Sequence, residues 1–320
     1  MYRTNRIWKR TALFPLGALG VTAPAPEAQA ADKDLPNIVF ILADDMGIGD
    51  LDCYYPQPHI HTPHLAELAA HALQFAQHYS GSTVSAPSRC CLLTGKHTGH
   101  AHVRGNKSDS TPQGRFDLAL PAREITVAEV LKRKGYATMC VGKWGLGGPG
   151  TEGSPLAQGF DYFFGYLGQG DAHRYYPECL YENERRVSLG GRVYSHWMIL
   201  EKGLDFIRHC APGQPFFAYF AFTLPHADLD HPDLRACSGR FREEPYVNRD
   251  GKGGFKTQMQ PKAAYASMVA ELDRSVGEII RLLKERGEWE NTLLVFSSFI
   301  DVINGIQRLA TRIIRDCSLA

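Results

Sequence analysis

The stretch SAPSRCCLLTG, which begins at Ser85, combines a helix-start pattern with residues that could bind an anion. Pro87 and the closing Gly95 predict a helix that starts near the serine and ends at the glycine. The free N–H groups and positive dipole end of a helix N-terminus favour an anion, and the planar guanidinium of Arg89 suits a tetrahedral oxyanion. Ser85 then stands at the position of a nucleophile. The alternative is that Ser85 or Ser88 serves only as the N-cap.

Two adjacent carboxylates, Asp44 and Asp45, follow the apolar run NIVFILA. Carboxylate oxygens are the ligands that Mg²⁺ and Ca²⁺ prefer, so the pair indicates part of a site for a divalent cation. A turn or a helix cap is the alternative, because aspartates are common in both.

Lys143 and His226 also follow apolar runs, YATMCVG and PFFAYFAF. Their position after a strand makes both candidates for the site. Each has a plain alternative, since a lone lysine there is usually solvated and a lone loop histidine is usually structural or exposed.

These residues need a scaffold, and the hydrophobic pattern predicts one. Strands are predicted at residues 37–43, 136–142, 215–222 and 291–298. Helices are predicted from Thr62, from Thr126, over 197–209 and over 263–287. Strands that alternate with helices predict an α/β fold with a mostly parallel sheet flanked by helices. Ligands bind at the carboxyl ends of the strands in such a sheet, where the polar residues named above should meet.

Two finer expectations concern the surroundings of the sheet. The helix that begins at Thr126 should turn Val127, Val130 and Leu131 inward. Residues 145–195 are rich in Gly and Tyr and predict long loops over one end of the sheet.

Several segments resemble the sulfatase family. SAPSRCCLLTG agrees at every fixed position with its signature of Cys or Ser, any residue, Pro-Ser-Arg, four residues and Thr-Gly. Four other segments resemble sulfatases in the same order: PNIVFILADDMGIGDLDCY, GYATMCVGKWGLG, TLPHADL and YASMVAELDRSVGEIIRLLKERGEWENTLLVFSS. The resemblance covers residues 36–298. This region resembles the catalytic domain of secreted arylsulfatases in the alkaline-phosphatase-like superfamily. The resemblance implies the fold of that superfamily.

The resemblance implies an enzyme that hydrolyses the sulfate ester of a sulfated glycan or an aryl alcohol. In the family the signature Cys or Ser is oxidised to formylglycine. Here Ser85 would be that residue, oxidised by a bacterial radical-SAM sulfatase-maturing enzyme. The alternatives are a phosphohydrolase of the same superfamily that uses Ser85 directly, and a non-catalytic remnant that binds sulfated sugar.

The resemblance also implies roles for the other residues. Asp44 and Asp45, with Ser85, would hold Ca²⁺, with Mg²⁺ as the alternative. Arg89 would hold the formylglycine. Lys143 would contact the sulfate group.

His226 would assist the leaving group and bind substrate. The second segment departs from the family pattern Gly-Lys-Trp-His-Leu-Gly, because Gly145 stands where the histidine is common. We expect His173, in DAHRYYP, to take its place in substrate binding.

The resemblance stops after residue 298. The family continues with Asp-Asn-Gly, whereas this chain reads FIDVINGIQRLATRIIRDCSLA. Two residues separate Asp301 from Asn304, so they cannot reproduce an adjacent ligand pair. We therefore expect residues 299–320 to be a divergent tail on a C-terminally truncated sulfatase, with weak or no activity. Genuine divergence is the alternative.

The beginning of the chain is typical of export. Residues 1–30 contain a basic segment, a short apolar segment and an A-x-A cleavage site, which predict a signal peptide and a periplasmic or extracellular protein. The 320 residues are 44% hydrophobic and 22% charged, an ordinary globular composition, and the net charge of +1 argues against nucleic-acid and membrane partners. Eight cysteines permit disulfides, but Cys90, Cys91 and Cys140 lie in apolar stretches and are predicted core residues.

Overall fold

The computed structural model describes residues 35–55, 60–112, 114–248 and 255–299. The predicted signal peptide, Asp301 and Asn304 lie outside the described residues. The helices are α1 Pro63–Ala70, α2 Ser85–Thr94, α3 Val127–Arg133, α4 Ser195–His209 and α5 Pro261–Glu285. The strands are β1 Asn37–Asp44, β2 Ser108–Thr111, β3 Gly114–Asp117, β4 Ala137–Lys143, β5 Tyr162–Tyr166, β6 Cys179–Glu182, β7 Arg185–Ser188, β8 Phe216–Ala221 and β9 Thr292–Phe299.

Seven of the described strands form one sheet in the order β7-β6-β5-β4-β8-β1-β9, and β2 and β3 form a separate hairpin. The strands from β5 to β9 along this order pair in parallel, and β6 and β7 add an antiparallel edge. Strand β9 pairs with β1 along its full length, from Asn37 opposite Thr292 to Asp44 opposite Phe299. The predicted α/β fold with a mostly parallel sheet is confirmed.

The sheet is buried on both faces, as the continuous apolar strand sequences require. Alternate strand residues such as Ile41 and Val141 pack against the face that α4 and α5 cover. Their neighbours, such as Cys140 and Tyr219, pack with residues of α2 and α3 on the opposite face. Among the described helices, none has the length and apolar composition needed to cross a membrane.

The predicted core cysteines are confirmed. Cys90 and Cys140 have no exposed surface, and Cys91 is buried beside them. The cysteines within the described ranges are all free thiols.

The prediction of long loops over residues 145–195 was wrong in part. This region contains β5, β6 and β7, because the aromatic segment YFFGY extends the sheet beside β4 and a hairpin follows it. Gly165 allows this pairing, since a Cβ there would lie 1.9 Å from the carbonyl oxygen of Gly142.

Helix α3 begins at the predicted position but faces a different way. Thr126 accepts a hydrogen bond from the Glu129 N–H, and the Glu129 carboxylate accepts one from the Thr126 N–H, which forms a capping box. Val127 and Val130 are 37% and 48% exposed, whereas Ala128 is buried, so the inward assignment of the two valines was wrong. The Thr126 hydroxyl also donates to the Gln158 carbonyl, which joins the start of the helix to a distant loop.

Gly142 is expected to be essential for the sheet beneath Lys143. It has φ +112°, and a Cβ there would lie 2.0 Å from the Ala221 carbonyl oxygen, a backbone atom that cannot rotate away. Gly142→Ala should therefore lower the free energy of unfolding by about 3 kcal/mol or more. Gly213→Ala is the matched control, because Gly213 also has a positive φ but no described heavy atom within 4 Å of its Cβ position. It should cost only about 1–2 kcal/mol. Urea unfolding measures both, and equal losses would contradict the steric argument.

Candidate active site

The polar residues that follow the strands lie at one edge of the sheet, as predicted. β1 ends at Asp44, β4 ends at Lys143, and His226 follows β8. Helix α2 brings Ser85 and Arg89 to the same edge, and all five side chains are nearly inaccessible to solvent.

Asp44 binds two cations inside the protein. Its Oδ2 accepts a hydrogen bond from Lys143 Nζ at 2.8 Å and lies 3.4 Å from Arg89 Nη2. Burial alone raises the pKa of Asp44, but the positive charges of Lys143, His226 and Arg89 outweigh it and lower the pKa to about 2. Asp44 is therefore a carboxylate at any ordinary pH.

Arg89 joins three elements through three of its nitrogens. Nε donates to Ser85 Oγ at 3.1 Å, Nη1 donates to the Lys143 carbonyl at 2.8 Å, and Nη2 approaches Asp44. The guanidinium also lies over the ring of Phe299, 5.2 Å from its centroid. The arginine therefore connects the serine of α2 to the ends of β1, β4 and β9.

Ser85 is the first residue of α2, and Val84 occupies the N-cap position. The alternative in which Ser85 or Ser88 caps the helix was wrong: within the described residues, no N-cap side chain accepts from this helix. Asn106 instead accepts a hydrogen bond from the Ala86 N–H at 3.2 Å. Sequence reasoning missed this contact because the asparagine lies 20 residues away.

Asp45 and His226 form the second close polar contact of the site, with 3.2 Å between Oδ2 and Nε2. Asp45 has φ +66°, and its N–H donates to the carbonyl of Phe299 at 2.9 Å. His226 Nδ1 bonds the Ala227 carbonyl, which directs Nε2 toward Asp45. The end of β9 therefore positions the aspartate, and the loop after β8 positions the histidine.

Asp44, Asp45 and His226 each offer a ligand atom within 4.8 Å of the others, and all three are buried. Asp44 Oδ1 has no hydrogen-bond partner among the described residues. Two carboxylates, one of which has a buried oxygen with free lone pairs, fit a divalent cation. Ser85, predicted as a further ligand, is linked to this group through Arg89.

His173, predicted to bind substrate, lies against His226. The two imidazole rings stack with 4.6 Å between centroids. Burial, together with the positive charges of His226 and Lys143, lowers the pKa of His173 to about 3, so it is neutral at physiological pH. The side chain nearest the Cβ position of Gly145, however, belongs to Gln169.

Helix α5 supports the turn that carries Asp45, which the sequence did not suggest. The Tyr265 hydroxyl donates to Asp50 Oδ2 at 2.6 Å and lies 3.4 Å from the Asp45 carbonyl oxygen. The same Asp50 oxygen accepts the Gly47 N–H at 2.8 Å. Asp50 and Tyr265 are 215 residues apart, so no local pattern could have joined them.

A buried carboxylate, two buried cations and a helix-borne serine thus lie together at the edge of a parallel sheet in a protein of the α/β class. Comparison with known proteins identifies it further: the sulfatase family model matches residues 36–298. The chain belongs to the sulfatase family. Members of this family generally use a formylglycine and a divalent metal.

Individual relatives agree. The chain is 30% identical to an arylsulfatase from Klebsiella aerogenes over 84% of this chain and 67% of the relative. It is 32% identical to human N-acetylgalactosamine-6-sulfatase over 82% of this chain and 49% of the relative. The structure of Ps i-CgsB in complex with k-i-k-neocarrahexaose superposes with a TM-score of 0.67 at 25% identity, over 82% of this chain and 58% of that one. The chain thus spans about half to two thirds of the length of these proteins.

The Asp50 carboxyl should make stability depend on pH. Burial raises the pKa of Asp50 to about 6, although hydrogen bonds from Tyr265 and Gly47 oppose the shift. The folded chain keeps this proton up to about pH 6, while the unfolded chain loses it near the ordinary pKa of 3.8. The contribution of this group to the free energy of unfolding therefore falls as pH rises through that interval, by up to about 3 kcal/mol.

Asp50→Asn should flatten this part of the pH profile. Urea unfolding between pH 4 and 7 measures the slope, and Asp109→Asn, at an exposed carboxylate, should leave it unchanged. An unchanged slope in Asp50→Asn would show that the buried proton is absent.

Proposed function

We propose that this chain is a sulfuric ester hydrolase that removes sulfate from a sulfated carbohydrate or an aryl sulfate ester. The observation that carries the proposal is the Arg89 side chain, which holds Ser85 Oγ and lies between Asp44 and the end of β4. One cation thus positions the reacting serine and stays close enough to neutralise charge on the sulfate oxygens.

A bound metal makes the charge balance of the site favour an anionic substrate. The two carboxylates of Asp44 and Asp45 offset the charges of Arg89 and Lys143, so a divalent cation leaves the site positive. We propose Ca²⁺ held by Asp44 and Asp45. Bound there, the ion would act as a Lewis acid that lowers the pKa of an oxygen nucleophile and attracts sulfate oxygens.

Three residues of the chain have the remaining roles. Arg89 holds the residue at position 85, and Lys143 Nζ stands ready for a sulfate oxygen while it stays paired with Asp44. His226, directed by the Ala227 carbonyl, presents Nε2 from which a proton can pass to the departing alcohol oxygen. Because Tyr175 lies within hydrogen-bonding distance of the Thr223 and His226 carbonyls, the histidine loop stays rigid.

Hydrolysis of p-nitrophenyl sulfate with Ca²⁺ tests the proposal. Ser85→Ala should reduce the rate by about 10³-fold or more, because it removes the only oxygen of that side chain. Ser88→Ala is the matched control, since it is a buried serine on the same helix and should retain activity within about threefold. A chelator should remove the activity and added Ca²⁺ restore it. Turnover that survives in Ser85→Ala contradicts the assigned nucleophile.

We also propose that the chain is exported and that a radical-SAM maturing enzyme oxidises Ser85 to formylglycine. The aldehyde hydrate supplies an oxygen nucleophile and a second hydroxyl that helps to release sulfate. Protein recovered from a bacterial host that expresses such an enzyme should begin at Ala31, after the A-x-A site. Its Ser85 peptide should be lighter by two hydrogen atoms. Mass spectrometry measures both, and an unmodified serine in active protein would favour a phosphohydrolase-like mechanism.

A further inference from the structure

Gly145 leaves space at the end of β4 that a neighbouring loop fills. Its N–H donates to the Leu167 carbonyl at 3.1 Å, so the chain stays paired beyond Lys143. Gly145 has φ +77°, and a Cβ there would lie 1.9 Å from Gln169 Nε2 and 2.8 Å from Gln169 Cδ. The amide of Gln169 therefore occupies the place that a side chain at position 145 would take.

The Gln169 side chain is buried, and within the described residues its amide N–H donor is unsatisfied. It is 7% exposed, and Nε2 has no hydrogen-bond partner among the described residues. Leaving a buried N–H unsatisfied lowers stability, and such a group calls for a partner outside the protein. The backbone of Gln169 is fixed, because its N–H donates to Asp117 Oδ2 at 2.6 Å.

The loop that carries Gln169 runs between two groups of the candidate site. It begins where β5 pairs with the end of β4, opposite Lys143, and leads to His173, which stacks on His226. The amide thus lies beside the backbone two residues after Lys143. An N–H donor at this place suits an oxygen of the sulfate group.

We propose that Gln169 is a substrate-binding residue whose Nε2 donates a hydrogen bond to a sulfate oxygen. This rests on the proposed function, since it assigns one more contact to the same anion. A neutral amide binds the oxygen without titrating, so this contact stays intact from acidic to neutral pH. Gly145 has a matching role, because any side chain there would displace the amide.

Binding of inorganic sulfate to the Ca²⁺-loaded chain tests this contact, with isothermal titration as the measurement. Gln169→Glu is nearly isosteric and places a carboxylate next to the anion, while Gln169→Met keeps the volume and removes the donor. Both should raise the dissociation constant, Gln169→Met by about 10-fold and Gln169→Glu by more. Gln74→Glu, the same charge change on an exposed side chain, should have no effect.

The melting temperature without sulfate separates binding from a structural role. If the amide serves the anion, Gln169→Met removes an unsatisfied donor and should leave the melting temperature unchanged or higher. A lower melting temperature with unchanged sulfate affinity would overturn the proposal. A double-mutant cycle tests whether positions 145 and 169 act together. Gly145→Ala should weaken sulfate binding in the wild-type chain, because its Cβ displaces the amide, but much less in Gln169→Met, which has no amide.

The outcomes distinguish this inference from the proposed function. Sulfate affinity that depends on Gln169 in a chain that does not hydrolyse sulfate esters supports the contact and contradicts the hydrolase. Normal hydrolysis with sulfate affinity unaffected by Gln169 contradicts the contact alone.

Discussion

The site depends on a single buried carboxylate, that of Asp44, held between Lys143 and Arg89. The three groups come from β1, β4 and α2, so their attraction ties the centre of the sheet to the helix that carries Ser85. Removing one member of such a buried group leaves an uncompensated charge, at a cost of about 3–5 kcal/mol. We propose that the charges that stabilise the edge of the sheet are also those that a substrate anion meets.

A second set of contacts fixes the residues that face Asp44. Asp45 is held by the end of β9 and by the Tyr265–Asp50 pair, and His226 by Tyr175. These supports come from α5 and from loops far away in the chain. Backbone and side-chain hydrogen bonds thus hold the site on the side of the carboxylates.

Much of the fold and half of the site geometry followed from local patterns. Continuous apolar runs predicted β1, β4, β8 and β9, and the polar residues at or after the ends of the first three, Asp44, Lys143 and His226, lie at the same sheet edge. Local spacing also misled: Val127 and Val130 have the right spacing for a buried face, yet they are exposed in a helix whose Thr126 contacts the distant Gln158.

The sequence by itself determined which residues end the strands and that SAPSRCCLLTG begins a helix, because apolar runs, proline and glycine act within a few residues. Only the tertiary structure decided that Ser85 is held by Arg89 instead of capping its helix, and that Gln169 fills the space above Gly145. Each of these depends on groups that folding brings together from distant parts of the chain. The spacing of residues in the sequence does not predict such contacts, because it depends only on interactions between residues close together in the chain.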